Sequence, residues 1–480
     1  MVFPFSLLKR QVLPVFLCLF YLIAPGALRS ARAADHITQY GITWKFDKDY
    51  PSGQFVNGDY WVIGPVKVVA ITNDLHTSPG FTPEPGDDGS MVNPGTDTKQ
   101  GYCRYLASYK AELNAALPNG KPVAADNPLL LQPASSLVSM VSWLAKSEEE
   151  KEPGSPRYDK GTHSTRAATR SGAVLTVLAS APPAGSFRPP YSGTDKTVKY
   201  NLKQMDLSKL KNLAPVDKTP SPQEVTQQIS RPWIDHVNEW LGAHVHPTEN
   251  MPNYGREVAQ TLSNAALLLQ LDFSKLPGSP SKEKLAILFV QLGIDLTGIA
   301  DNGGFWPANG GHHLGRKWPI MLTGILLNDA HMRDVGHWKT RFQEDEQTFF
   351  VSQKEVDVTH SPGWKPDKRA KTLTPYTKED IGTPEWGIGH VVEPQADNKE
   401  IQCPYRGINS PIYPGIVLSA RLMGMEEAWN HPALFAYTER WMKLTDGKGM
   451  LGAEGVQFFV LNMWKAYGET FKTQNGKASK

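Results

Sequence analysis

Cysteine is nearly absent: the chain has three in 480 residues, at positions 18, 103 and 403. A disulfide-stapled scaffold is therefore excluded. With Cys18 set aside in the leader described below, one bridge between Cys103 and Cys403 remains open, and two buried thiols are the equal alternative. Neither of these two lies beside a motif that would lower its pKa and make it a nucleophile. Charge of one sign is missing as well. A formal net charge of +2 supplies no basic field for counterion release, so nucleic acid is not an expected partner. Local Lys and Arg remain able to pair with single carboxylates. The apolar run Val12 to Ala24 is too short to cross a bilayer, so stable membrane insertion is not expected. The His-x-x-x-His spacing of a helical zinc site is not met by His244-x-His246 or by His312-His313. A metal hydrolase is accordingly disfavoured, and no metal or cofactor is expected.

What is present begins with a leader. Lys9 and Arg10 precede the apolar run, and Ala31-Arg32-Ala33 follows it with the small-x-small pattern of a cleavage site. Residues 1–33 read as a signal peptide, and the mature protein is expected to be exported, to the periplasm or the medium. The remainder has the composition of a folded protein, 40% hydrophobic and 20% charged, and room for two domains.

Two periodicities divide it. From residue 34 to about 205 short β-type runs recur: Gly41–Phe46, Tyr60–Ile63, Val66–Ile71, Ser136–Trp143 and Ala173–Leu178. Asn57-Gly58 and Gly64-Pro65 punctuate them as turns. This region is expected to be a β-rich, sandwich-like domain, with Gly185–Gly193 as a proline-stiffened surface loop or cleft wall. From residue 221 to 475 the apolar spacing turns helical. Val258, Leu262, Ala265 and Leu269 follow an expected Asn253 N-cap. Further helices are expected at 283–300, 314–328, 411–425, 432–444 and 454–471. Helical hairpins of this kind predict an α/α-toroid-like domain with a central funnel, and the fold class is α+β multidomain. The proline- and charge-rich stretch 356–402 is expected to fold over the funnel mouth.

Between two of those helices lies Asp301–Pro319, DNGGFWPANGGHHLGRKWP, a loop with five glycines, two adjacent histidines and two tryptophans. Glycine lets such a backbone approach a ligand closely, and loops on a rigid scaffold carry much of binding and catalysis. Two other clusters match its chemistry: Glu249-Asn-Met-Pro-Asn-Tyr-Gly-Arg256 at a helix start, and Glu385-Trp-Gly-Ile-Gly-His390 with Cys403-Pro-Tyr-Arg406. One reaction uses these side chains economically, the β-elimination of a uronate polymer. The C5 proton is acidic enough only if the neighbouring carboxylate is neutralised. A base then removes it, and an acid protonates the leaving O4.

His312 is the expected base and Tyr254 the acid, with Tyr405 and Arg406 as the substitute pair. Asn253, Arg256 and Arg316 are candidates for the neutralising clamp, and His313 and His390 for further substrate contacts. Trp306 and Trp318 are candidates for stacking on sugar rings. On these Asn-Tyr, His and Tyr-Arg clusters, over Ser221–Thr473, the chain resembles the toroidal polysaccharide lyases acting on alginate or glucuronan. That resemblance implies an exported lyase, an anionic polysaccharide as partner, and no cofactor. Those lyases often place the β-domain after the toroid, whereas here it comes first. Two rivals remain. A toroidal glycoside hydrolase needs two flanking carboxyls, for which Asp301, Asp380, Glu385 and Glu393 are available. A non-catalytic carbohydrate-binding protein accounts for the tryptophans but not for the His, Tyr and Arg density.

Overall fold

The structure, a computed structural model, describes residues 32–76, 83–143, 168–278, 280–364, 375–387, 404–448 and 455–475; of 404, 405 and 471–475 only the backbone is described. Residues 1–31 of the leader, His390, Glu393, Cys403 and most of the stretch expected over the funnel mouth lie outside these residues, while Arg32 and Ala33 at the leader's end already belong to the first strand.

The first part is an eight-stranded sheet. Its strands are β1 (Arg32–Gln39), β2 (Ile42–Gln54), β3 (Tyr60–Ile63), β4 (Val66–Asn73), β5 (Gly89–Val92), β6 (Leu129–Leu131), β7 (Ser135–Ser142) and β8 (Thr169–Leu178). Their order is β5-β7-β8-β3-β2-β4-β6, with β1 also on β2. All pairs are antiparallel except β3 with β8. The sheet is a single curled layer rather than two stacked ones, so the sandwich expectation is corrected. Alternation explains the curl. Ile42, Trp44 and Phe46 of β2 share one buried cluster with Leu137 and Val141 of β7 and with Ala173, Leu175 and Val177 of β8. The Trp44 indole closes this inner face by donating to Ser139 Oγ at 2.9 Å. The neighbours of opposite parity, Val138, Met140 and Val174, point outward into the core of the helical part.

The helices are α1 (Pro222–Gln228), α2 (Gly255–Leu269), α3 (Lys282–Asp301), α4 (Lys317–Leu326), α5 (Ala330–Arg333), α6 (Gln343–Gln347), α7 (Gln353–Thr359), α8 (Pro404–Asn409), α9 (Tyr413–Leu422), α10 (Glu426–Trp429), α11 (Pro432–Thr445) and α12 (Phe458–Asn475). A small ribbon, β9 (Thr348–Phe350) with β10 (Pro384–Trp386), joins them. The molecule is thus α+β, with helices following the sheet. Residues of α3 are buried without a break from Leu285 to Ala300, as a central helix requires. It crosses α4 so closely that a Cβ on Gly293 would lie 2.0 Å from Thr323 Oγ1. The cap of α2 differs from expectation: Tyr254, not Asn253, is the N-cap, and its side chain makes no capping bond.

Gly185–Gly193 is not a surface loop. Arg188 is fully buried, its Nε 2.6 Å from Asp59 Oδ2 near β3 and its Nη2 2.6 Å from Asp295 Oδ2 on α3. Gln291 accepts from the Arg188 N–H and donates to its carbonyl. The segment is a strap between sheet and helices. A buried charge is tolerable only with partners of this quality. Cys103 is buried in the shared core. No described helix is long and apolar enough to cross a membrane.

Candidate functional site

Two of the three clusters meet at the start of α2. The Tyr254 and His312 rings touch edge to face, centroids 4.7 Å apart and planes at 90°. Tyr254 is 6% exposed and His312 half-buried. Glycine makes the contact possible. A Cβ on Gly255 would lie 2.2 Å from the His312 carbonyl oxygen, and one on Gly311 would lie 2.2 Å from Asn409 Oδ1 and 2.6 Å from the Tyr254 hydroxyl. Asn409 at the end of α8, three residues beyond the third cluster, reaches the same place, while the described members of that cluster itself do not.

The loop is held from behind. Gln343 Nε2 and Gln347 Nε2 both donate to the Gly310 carbonyl, at 2.8 and 2.6 Å, and Gln343 Oε1 accepts from the His313 N–H. Tyr413 donates to Gln347 Oε1, and Trp386 Nε1 donates to the Tyr413 hydroxyl. These bonds fix the backbone of 310–313 against α6, α9 and β10.

Several expected substrate groups serve the interior instead. Arg316 is 1% exposed, with Nε and Nη2 on the two oxygens of Asp235 and Nη1 on the Leu314 carbonyl. Three of its five N–H groups are engaged and the side chain is buried, which keeps it from a substrate carboxylate. The same Asp235 accepts from Trp306 Nε1 at 3.0 Å and faces His246 Nε2 at 2.8 Å. Burial alone would raise the Asp235 carboxyl, but Arg316 and His246 hold it well below the usual range. Trp306 stacks on Phe342, Trp318 stacks on Trp429, and the two are 3% and 1% exposed. Neither has a face left for a sugar, so the stacking assignment is corrected: both are core residues.

Arg406 is fully buried against Glu385, 2.7 Å away, and donates to the Trp386 carbonyl. Arg256 pairs with Glu257 at the partly exposed edge of α2, and Asn253 is half-buried one residue before Tyr254. The Tyr405 side chain and His390 lie outside the described residues. His313 is 6% exposed and Nδ1 donates to the Pro307 carbonyl at 2.7 Å. Burial pushes its pKa down to about 4, against the opposing pull of that carbonyl. Glu344 sits beneath the loop, facing the Gly315 and Lys317 N–H groups at the start of α4. Burial first, and the charge of Asp345 second, push its pKa up to about 7.

The rival carboxyls are dispersed in role. Asp301 pairs with His331 at the surface, Asp380 accepts from the Thr377 backbone, and Glu385 is sealed between Arg406 and Arg440. Among the described residues no three His, Cys, Asp or Glu side chains gather as a metal site.

Trp240 went unnoticed in the sequence. It is 39% exposed, with its ring 6.5 Å from His312 and 5.0 Å from His244. Glu239 before it holds φ 64° and ψ −178°, a region that glycine alone enters readily, at a cost of about 1–3 kcal/mol. Backbone strain of that kind concentrates where side chains are aimed for function. The Trp240-to-His246 stretch, with one tryptophan and two histidines in seven residues, is the signal that would have found it. Asn409 and Asp235 had no local signal; Asp235 lies 81 residues from Arg316. No known protein family, curated protein or solved structure matches the chain.

Proposed function

We propose that this protein is an exported polysaccharide lyase that cleaves a uronate polymer by β-elimination, with His312 as base and Tyr254 as acid. The observation that carries this reading is the Tyr254–His312 pair at 4.7 Å, seated on Gly311 beside Asn409. The imidazole takes the C5 proton, the C4–O4 bond breaks as C4=C5 forms, and the phenol hydroxyl delivers its proton to O4. A carboxamide stabilises the developing enolate by hydrogen bonding to the substrate carboxylate. Asn253 and Arg256, both partly exposed at the start of α2, are assigned that role, and the buried Asn409 supports the pair from the side of Gly311. Trp240 takes over the stacking role first given to Trp306 and Trp318. The α/α toroid is the finer form of the helical part under this proposal, and the protein groups named suffice without a metal.

The test is a panel of alginate, glucuronan and related polyuronates incubated with the full chain. Ultraviolet absorbance from a new C=C bond is the expected result. Reducing ends without that absorbance would replace elimination by hydrolysis, and binding without turnover would leave a carbohydrate-binding protein.

A further inference from the structure

A groove of about 850 Å³ lies between the start of α12, the turn after α11 and the segment 218–220. Phe458, Leu461 and Lys465 of α12 line one wall, at the three- and four-residue spacing of a single helix stripe. Asp446 and Lys448 face them from the turn, and Lys218 from the third side. Three ammonium groups thus surround the groove against one carboxylate, and none of the three has an ion-pair partner among the described residues. Phe458 is 72% exposed, the most open of the large apolar side chains there. In the groove wall Asn264 donates to Gln457 Oε1 at 2.7 Å, while its own Oδ1 is buried without a partner.

An exposed aromatic face, a polar amide and three cations with no ion-pair partner among the described residues suit a ligand with flat apolar sugar faces and repeated carboxylates. The volume lies in the range of a small-ligand site, roughly 300–1,000 Å³, large enough for a few sugar rings and too small for a nucleic-acid duplex. Asn264 stands ten residues along α2 from Tyr254, so the groove lies about 15 Å down that helix from the catalytic pair. It is a separate place.

We propose that this groove is a second binding site for a short run of acidic sugar residues. Phe458 stacks on a pyranose face, and Lys218, Lys448 and Lys465 pair with uronate carboxylates. This inference rests on the polyuronate reading for its ligand class. Two linked sites raise the effective concentration of a polymer without any new contact at the first.

The experiment is titration calorimetry on the full-length His312→Ala variant, with a tetrauronide and a neutral glucose tetrasaccharide as probes. The tetrauronide is expected at two sites, one weakening as salt rises. In the background of K218Q, K448Q and K465Q together the stoichiometry falls to one, and F458A weakens that same site at least tenfold. With His312 intact, the triple variant is expected to retain its rate on the tetrauronide and to slow on long polymer. Unchanged stoichiometry in the triple variant overturns the proposal, as does equal binding of the neutral probe. The two readings fail separately. Lysine-dependent binding without any unsaturated product would keep the groove and remove the lyase, whereas turnover with no lysine-dependent site would do the reverse.

Discussion

At the scale of single residues, burial decides more than residue type does. Glu344 and His313 carry opposite consequences for stability against pH. The unfolded chain releases the Glu344 proton near pH 4.5, while the folded chain holds it to about pH 7. Its contribution is therefore full below pH 4.5 and lost as pH rises to 7, on the order of 3 kcal/mol in all. His313 runs the other way: its folded pKa of about 4 lies below the usual 6.5, so its contribution is full above pH 6.5 and lost as pH falls toward 4. Glu344→Gln keeps an oxygen toward the Gly315 N–H and removes the ionisation. The difference in Tm between this variant and the parent is expected to grow in the variant's favour from pH 5 to pH 8, in thermal melts at matched salt. At the candidate site, Tyr254→Phe keeps the edge contact with His312 and removes the hydroxyl. Proton donation of this kind is worth about 10²–10⁴-fold, so kcat is expected to fall by that order with little change in Tm. A Tyr254→Phe enzyme as active as the parent would take the acid role from Tyr254.

At the scale of elements, the loop 309–316 works because glycines and glutamines share its support. Gly311→Ala would drive a methyl group into Asn409 and the Tyr254 hydroxyl. It is expected to abolish turnover and to change the tyrosine or tryptophan fluorescence of the site, while far-ultraviolet circular dichroism stays that of the parent. The long elements were largely legible beforehand. Apolar spacing placed α3 within one residue at each end, and β3 and β8 ended where expected, since a face buried along its length leaves a period in the residues. The curl of the sheet was not legible. It depends on Trp44 meeting Ser139 across the inner face, a contact between strands far apart in the chain. The tryptophans failed for a related reason. Trp306 and Trp318 belong to a polar, glycine-rich stretch that reads as an exposed loop, yet Trp318 lies in the first turn of α4, and Asp235, Phe342 and Trp429 come from elsewhere to cover the two rings. Trp240, in a less conspicuous stretch, is the one left open.

At the scale of the whole molecule, sheet and helices share one apolar core through Val138, Met140 and Val174, and one buried charge network through Arg188. Burial first, and then Arg188 in the opposite sense, act on Asp295, and the balance leaves its carboxyl above the usual range. Arg188→Met would leave Asp59 and Asp295 inside the protein without the guanidinium that pairs with both of them. Breaking a buried pair in this way costs about 3–5 kcal/mol, to be read from denaturant melts at pH 7. The loss is expected to shrink at acid pH, where Asp295 can take a proton. Calorimetry on the intact chain is expected to show one cooperative transition, with no separate melting of the sheet β1–β8.

The strap carrying Arg188 also constrains how the protein can be taken apart. A truncated version beginning at α1 would uncover Asp295 and Gln291 on a helix designed to see no water, and would strip the apolar patch that β7 and β8 cover. Anyone transplanting the helical half onto another scaffold must carry residues 185–193 and an acidic anchor equivalent to Asp59 as a single cassette.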